Sequence, residues 1–321
     1  MTNEIVKEKL IKRKYKKNFN PPHEDILFSI QQKTIGCTQS FVCFQGLPKQ
    51  GKSLYITSAI ASAFTTWDIF GMKLTFPENR KRLCYIDTES SEYDFYKVLA
   101  RIEKQILSPL PENFDSFLFR EDGPKDIMDM LDEYLVANND CSILVIDGIL
   151  DLISDFNSVT ESFLLVQWLK KITKIHNLLV LIVLHQSKRD KLSLGHIGSF
   201  LDRKSQSVLS VEKNNETKTI DLSPIFLRSA DSFDTISIQY IGDGWSEIYN
   251  NKKTNNDEKI YGIELKRLLN SILIEPKNYN SLLNDLCESI GKGHTTGKKI
   301  IKDWINQNII IKSGDLYKQK K

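Results

Sequence analysis

Between residues 40 and 186 the chain alternates two kinds of apolar pattern. "SFVCFQG" (40–46), "RLCYIDTE" (82–89), "CSILVIDG" (141–148) and "LLVLIVLHQ" (178–186) are nearly unbroken apolar runs that end in polar residues. Unbroken runs of this length predict strands buried on both faces. Between them, "KSLYITSAIASAFTTW" (52–67), "SEYDFYKVLARIEKQIL" (91–107), "PKDIMDMLDEYLVANN" (124–139) and "TESFLLVQWLKKITKIHN" (160–177) carry apolar residues at helical spacing, and "FLFRE" (117–121) predicts one more short strand. Strand and helix in alternation predict an α/β core with a mostly parallel sheet. After "HQSKRDK" (185–191) the pattern changes. "SVLSVEKN", "KTIDLSPIFL" and "DTISIQYIG" alternate apolar and polar positions, which predicts antiparallel strands extending one edge of the sheet.

Breakers divide the chain. "NPPHED" (20–25) separates a basic N-terminal arm, 1–24, from a folded body over 25–249, and the polar stretch 250–259 is the best linker. In the last unit, 260–321, "IYGIELKRLLNSIL", "NYNSLLNDLCESIG" and "HTTGKKIIKDWINQ" predict three helices. The third is expected to be capped by Thr295-Thr296, with Ile300, Ile301, Trp304 and Ile305 inward and Lys298, Lys299 and Lys302 outward. "IIIKSGDLYK" then predicts a β-hairpin. Three helices and a hairpin resemble a winged helix, whose third helix commonly enters a DNA major groove; a protein-interaction module fits the same pattern.

Composition narrows the class. With 40% hydrophobic and 26% charged residues in 321, the chain reads as globular. No apolar run reaches the ~18 residues of a membrane span, and the N-terminus has no apolar core of a secretory signal. The five cysteines form no CxxC pair, which points to a reducing, cytoplasmic location. The net charge of +3 conceals +5 over residues 1–20, −7 over 21–257 and +5 over 258–321. Basic ends suit contact with nucleic acid or are simply solvated tails.

The chemistry starts at "GLPKQGKS". Gly46, Leu47, Pro48, Lys49, Gln50, Gly51, Lys52, Ser53 and Leu54 lie between a predicted strand and a predicted helix. That is the setting in which backbone N–H groups cradle phosphate, a lysine reaches the terminal phosphates and a hydroxyl holds Mg²⁺. Asp147 ends an apolar run at the expected ligand edge and is the second metal candidate. Glu89, after the strand ending in Asp87, is placed to polarise an attacking water, with a helix start at "TESSEYDF" as the plainer alternative. Asp87 supports the metal or the capping. His185 and Gln186 close the next strand, as a γ-phosphate sensor or as a buried, satisfied pair.

These four pieces together resemble the RecA-like ATPases, most closely the RepA-type replicative helicases and the DnaB- and RadA-like cores, over about residues 25–250. The resemblance implies ATP and Mg²⁺, with Glu89 catalytic, Asp147 on the metal, and His185 and Gln186 at the sensor position. It implies a homo-oligomeric ring, hexameric in its expected form, with ATP sites between subunits. A basic finger from the neighbour falls on Lys213 or Arg228, with Lys218 behind; the Lys-x-Arg pair common in DnaB-like helicases has Asn215 in place of its Arg. Two channel loops would touch single-stranded DNA. The first, 148–161, is acidic and offers only Phe156 for stacking. The second, 187–206, holds Lys188, Arg189, Lys191, Arg203 and Lys204. Double-stranded DNA falls to Lys298, Lys299 and Lys302. The reading is an ATP-driven DNA motor, in replication or mobilisation of a mobile element. A nucleotide-switched DNA-binding regulator that does not unwind is the alternative, and a small-molecule kinase is a more distant third.

Overall fold

The computed structural model describes residues 3–14, 17–18, 24–186, 194–241, 244–248, 269, 272–290, 293–306 and 309–319. The protein is α/β, built on one mixed sheet of nine strands. Six of these, β3 (Ser40–Gly46), β5 (Arg82–Asp87), β6 (Phe114–Leu118), β7 (Cys141–Asp147), β8 (Leu179–His185) and β9 (Ser207–Asn214), run parallel in the order β9-β3-β8-β7-β5-β6. β10 (Thr219–Leu227), β11 (Ile236–Ile241) and β12 (Gly244–Ile248) extend it antiparallel beyond β9.

The unbroken apolar runs are explained by helices on both faces. Alternate residues of each central strand point to opposite sides. On one side Val42, Phe44, Leu83, Tyr85, Val145 and Leu181 join a core covered by α2 (Lys52–Ala63) and α3 (Glu92–Ile106). On the other, Phe41, Cys43, Ile86, Leu144, Ile146 and Ile182 meet α4 (Pro124–Ala137), α5 (Val159–Ile175) and α6 (Gly195–Lys204). All five cysteines are buried and unpaired, as small apolar residues are. Among the described residues no helix is long and apolar enough to cross a membrane.

Several local expectations need correction. The short strand is Phe114–Leu118 rather than 117–121, because pairing Leu83 with Phe114 fills the first core with the Phe114 ring. A small sheet, β1 (Ile26–Ile30), β2 (Lys33–Cys37) and β4 (Met72–Leu74), was not expected. Its hairpin turns through Gln31 and Gln32, both at positive φ, a conformation that turn composition assigns to Asn and Gly. The basic arm contains a helix, α1 (Asn3–Arg13), with no buried residue. Residues 195–204 of the expected second channel loop form α6, which buries Ile197 and Leu201.

The C-terminal unit has its own core of Leu282, Leu283, Leu286, Ile300, Ile301, Trp304 and Ile310. α7 (Tyr279–Ile290) and α8 (His294–Asn306) precede the hairpin β14 (Ile310–Ser313) and β15 (Leu316–Gln319), and β13 (Lys277–Asn278) adds a third strand. α8 starts at His294, so Thr295 and Thr296 lie in its first turn and are not caps. Ile305 faces outward at 40% exposure; it sits off the stripe of Gly297, Ile300, Ile301 and Trp304 that packs inward. The expected linker, 250–259, lies outside the described residues, as does most of the first expected helix of this unit.

Candidate phosphate-binding site

The parallel strands bring four polar chain ends together. β3 pairs with β8 so that Gly46 lies beside His185. β8 pairs with β7, and β7 with β5 so that Asp147 lies beside Asp87. The carboxyl ends of β3, β8, β7 and β5 therefore form one row, with the phosphate-loop segment at one end and Glu89 at the other.

The loop itself is tightly seated. Gly46 closes β3 where the backbone of β9 passes so near that a Cβ would sit 2.2 Å from the Val211 carbonyl oxygen. Only glycine fits there. Gly51 precedes α2 at positive φ and Lys49 is also left-handed. The Gln50 side chain accepts a hydrogen bond from the backbone N–H of Lys213, tying the loop to β9. The loop thus curls at the head of a twelve-residue helix whose first N–H groups have no side-chain cap, which is a site for an anion.

Lys52 is buried, 5% exposed. Its ammonium donates to the carbonyls of Gly46 (2.8 Å) and Leu47 (2.9 Å) and to Nδ1 of His185 (3.0 Å). An ammonium has three protons, so all three are engaged within the protein. Burial lowers its pKa to about 8, with Asp147 and Glu89 opposing the shift; at neutral pH it remains charged and can only donate. The His185 ring therefore accepts at Nδ1 and carries its proton on Nε2, which lies 3.2 Å from both carboxylate oxygens of Glu89. That bond, more than the nearby Lys52 charge, holds the Glu89 carboxyl below its usual range against the opposing effect of burial. Lys52, His185 and Glu89 form one continuous chain.

Asp147 is pushed in the other direction, up to about 7, first by burial and then by the charges of Asp87 and Glu89. The Ser53 hydroxyl and Tyr85 hydrogen-bond to it and pull it back. Tyr85 stands between the aspartates, 3.2 Å from Asp87 Oδ2 and 3.3 Å from Asp147 Oδ2. Burial keeps its phenol protonated, so one proton serves two carboxylates. Asp87 also accepts the N–H groups of Glu89 and Ser90 through Oδ1, 2.9 and 2.8 Å. It braces the turn that carries Glu89, while Ser91, accepting from the N–H of Asp94, caps α3. Capping is thus done by Ser91, and Glu89 is left for other work.

Three acidic side chains crowded together with one tyrosine proton favour a cation. Ser53 and Asp147 suit magnesium, which keeps several waters and takes one or two protein ligands beside phosphate oxygens. Among the described residues no group of three or more His, Cys, Asp or Glu side chains is arranged to hold a metal ion, so phosphate and water oxygens would have to complete the shell of an ion held by Ser53 and Asp147.

The remaining sequence candidates are dispersed. Gln186 is buried, its N–H donating to the Gly46 carbonyl (3.1 Å). Lys213 lies beside the loop, with its side chain exposed. Arg228 lies at the opposite end of the sheet, where Leu227 pairs with the first residue of β9, and donates to the carbonyl of Arg203 (3.3 Å). Arg203 and Lys204 end α6 at that same far edge. Lys218 is exposed in the turn between β9 and β10. Lys298, Lys299 and Lys302 share the exposed side of α8, and Lys188, Arg189 and Lys191 lie outside the described residues. Tyr85 was missed, although its i, i+2 relation to Asp87 in a strand puts both on one face. Thr88 and Asp151, 2.7 Å apart, carried no sequence signal.

No protein-family model matches the chain, and no curated protein matches it in sequence.

Proposed function

We propose that the protein is a magnesium-dependent ATPase with a RecA-like core that works on DNA as a homo-oligomer, with a winged-helix-like C-terminal unit. The observation that carries this reading is the convergence of Lys52, Ser53, Asp147, Glu89 and His185 on one row of strand ends. Their order is the one the resemblance implies: glutamate after one strand, aspartate closing the next, polar sensor closing the one after.

The loop N–H groups and Lys52 would hold the phosphates, and Ser53 and Asp147 would hold Mg²⁺, which supplies charge neutralisation at the transferred phosphoryl group. Glu89, kept ionised by His185, orients and activates the attacking water. Lys52 is held by two backbone carbonyls and one side chain, so exchanging an acceptor for a phosphate oxygen falls most easily on His185. The basic side of α8 and the charge at the chain's ends support DNA as the partner.

Steady-state ATP hydrolysis by the wild type and Glu89→Gln, with and without single-stranded DNA, tests the reading. Turnover that rises with DNA and is lost in the variant supports a DNA-driven motor. Slow turnover indifferent to DNA favours the nucleotide-switched regulator. Two observations already lean that way: Asn215 stands where the resemblance expects an arginine, and the first expected channel loop, 148–161, is acidic.

A further inference from the structure

We propose that Thr88 is a positioning residue that fastens Glu89 to the acidic loop 148–158, so that the carboxylate and that loop shift together. The inference rests on the reading of Glu89 as the water-orienting group.

Thr88 lies between Asp87 and Glu89 and is 4% exposed. Its N–H donates to the Asp147 carbonyl (3.1 Å), and its hydroxyl lies 2.7 Å from Asp151 Oδ2 and 3.0 Å from the Gly148 carbonyl. A hydroxyl has one proton to give, and the short contact to the carboxylate is the stronger of the two. The turn after β5 is thereby bonded to the turn after β7.

The seam has no slack. A Cβ on Gly148, at φ +108°, would lie 2.0 Å from the Thr88 hydroxyl and 3.2 Å from Glu89 Cγ. On the Glu89 side, Asp87 clamps two successive N–H groups, so movement of Thr88 reaches Glu89 without being absorbed. On the loop side, Asp151 belongs to a 3-10 turn, Ile149–Leu152, anchored by buried Ile149 and Leu152. Beyond it, Glu161 Oε2 accepts the N–H groups of Ser154 (2.7 Å) and Asp155 (3.1 Å). The Phe156 carbonyl accepts from His196 at the head of α6 (3.1 Å). The hydrogen-bonded seam thus runs from the Glu89 turn through Thr88 to Asp151, and the backbone carries it on to Phe156, the exposed aromatic residue of the same loop. A threonine serving only its own turn would have no need of a burial site that glycine alone can face.

The test uses the full chain with Mg²⁺ and a non-hydrolysable ATP analogue, comparing wild type with Thr88→Val, Thr88→Ser and Asp151→Asn. Analogue affinity is read by calorimetry, kcat and KM by hydrolysis of ATP, and loop response by hydrogen exchange over residues 149–158. The wild type is expected to change its exchange there on binding the analogue. Thr88→Val is expected to bind normally, lose about 10-fold or more in kcat at unchanged KM, and lose the exchange response. Asp151→Asn, whose amide oxygen still accepts the hydroxyl but without the charge, should fall between wild type and Thr88→Val, and Thr88→Ser, which keeps the hydroxyl, should restore both readouts. Wild-type kcat and loop response in Thr88→Val overturn the inference, as does a Thr88→Ser variant as impaired as Thr88→Val. A wild type that does not bind the analogue at all overturns the nucleotide reading itself, and this inference with it.

Discussion

Lys52 and Arg80 are both cations held by backbone carbonyls, at opposite edges of the same parallel sheet. Arg80 precedes β5 and donates to the carbonyls of Asn139 (3.1 Å), Asn177 (2.9 Å), Cys141 and His176, gathering the chain where β7 and β8 begin. Burial lowers the pKa of both side chains. The difference lies in the third partner. All four Arg80 acceptors are backbone, fixed by the strands they introduce. One of the three Lys52 acceptors is the His185 ring, which can turn away, and beyond it stand carboxylates with more charge than their neighbours neutralise. A buried cation with only immovable partners is a fastening. One with an exchangeable partner and nearby acids is equipped for a ligand.

The comparison breaks most readily at the lysine. Lys52→Ala is expected to reduce ATP turnover by about 10²-fold or more, since it removes a charge aimed at the reacting phosphates, with a smaller loss of stability than Arg80→Ala, because it strands two carbonyls rather than four and Gly46 keeps the Gln186 N–H. Arg80→Ala should do the reverse. Stranding four carbonyls should cost ~2–3 kcal/mol of stability by urea titration, with nucleotide affinity intact. Should Arg80→Ala abolish binding instead, the two edges are not separable as described.

His185→Ala sharpens the point about exchangeability. It removes a competitor for the Lys52 ammonium, so analogue binding should tighten by about 3- to 10-fold, the worth of one hydrogen bond. Turnover should fall, because Glu89 loses its partner. Weaker binding in the variant would mean that the ring contacts the nucleotide rather than competing with it.

Asp147 offers a smaller effect with a definite sign. Its folded pKa of about 7 lies above its ordinary value, so between about pH 4 and 7 the folded chain holds a proton that the unfolded chain releases. This contribution is complete at the acid end and is lost as pH rises through 7. Asp147→Asn should therefore remove that part of the pH dependence and raise Tm by ~2–4 °C at pH 8 without Mg²⁺. A Tm at pH 8 that falls in the variant would show the carboxylate to be stabilising as it stands. The smallest effect is expected on the exposed side of α8. Replacing Lys298, Lys299 and Lys302 with Ala should flatten the salt dependence of duplex DNA binding, by about 0.9 in slope for each phosphate left unneutralised.

The row of strand ends was legible because each central strand is a run of buried residues that stops at its first polar group, and that group sits at the ligand edge. The loop 46–53 was legible for the same reason, as glycines and a lysine between strand and helix. The contacts between these pieces were not. Tyr85 and Thr88 matter through Asp147 and Asp151, some sixty residues away in sequence, and nothing local marks such a meeting. The Gln31-Gln32 turn uses residues without turn chemistry of their own. α6 was hidden by Gly195, Gly198 and flanking charges, which read as loop until Ile197 and Leu201 are seen to be buried. Arg228 falls at the far edge because β10 runs antiparallel and carries its last residues back there.

The order of the central strands also bears on the chain's birth at the ribosome. β3 is made early, yet the strands that flank it, β8 and β9, are made last of the parallel set: Ser40 waits for Leu179, and Val42 for Ser207. Until then the loop 46–53 hangs from a strand with two open edges and no His185 or Val211 against which to set its shape. Closing such distant pairs is slow, and an apolar strand left open is an invitation to wrong partners. The nascent chain should gain nucleotide affinity late and abruptly, once β9 has emerged, and before that point its most ligand-ready segment is also the one most in need of a chaperone.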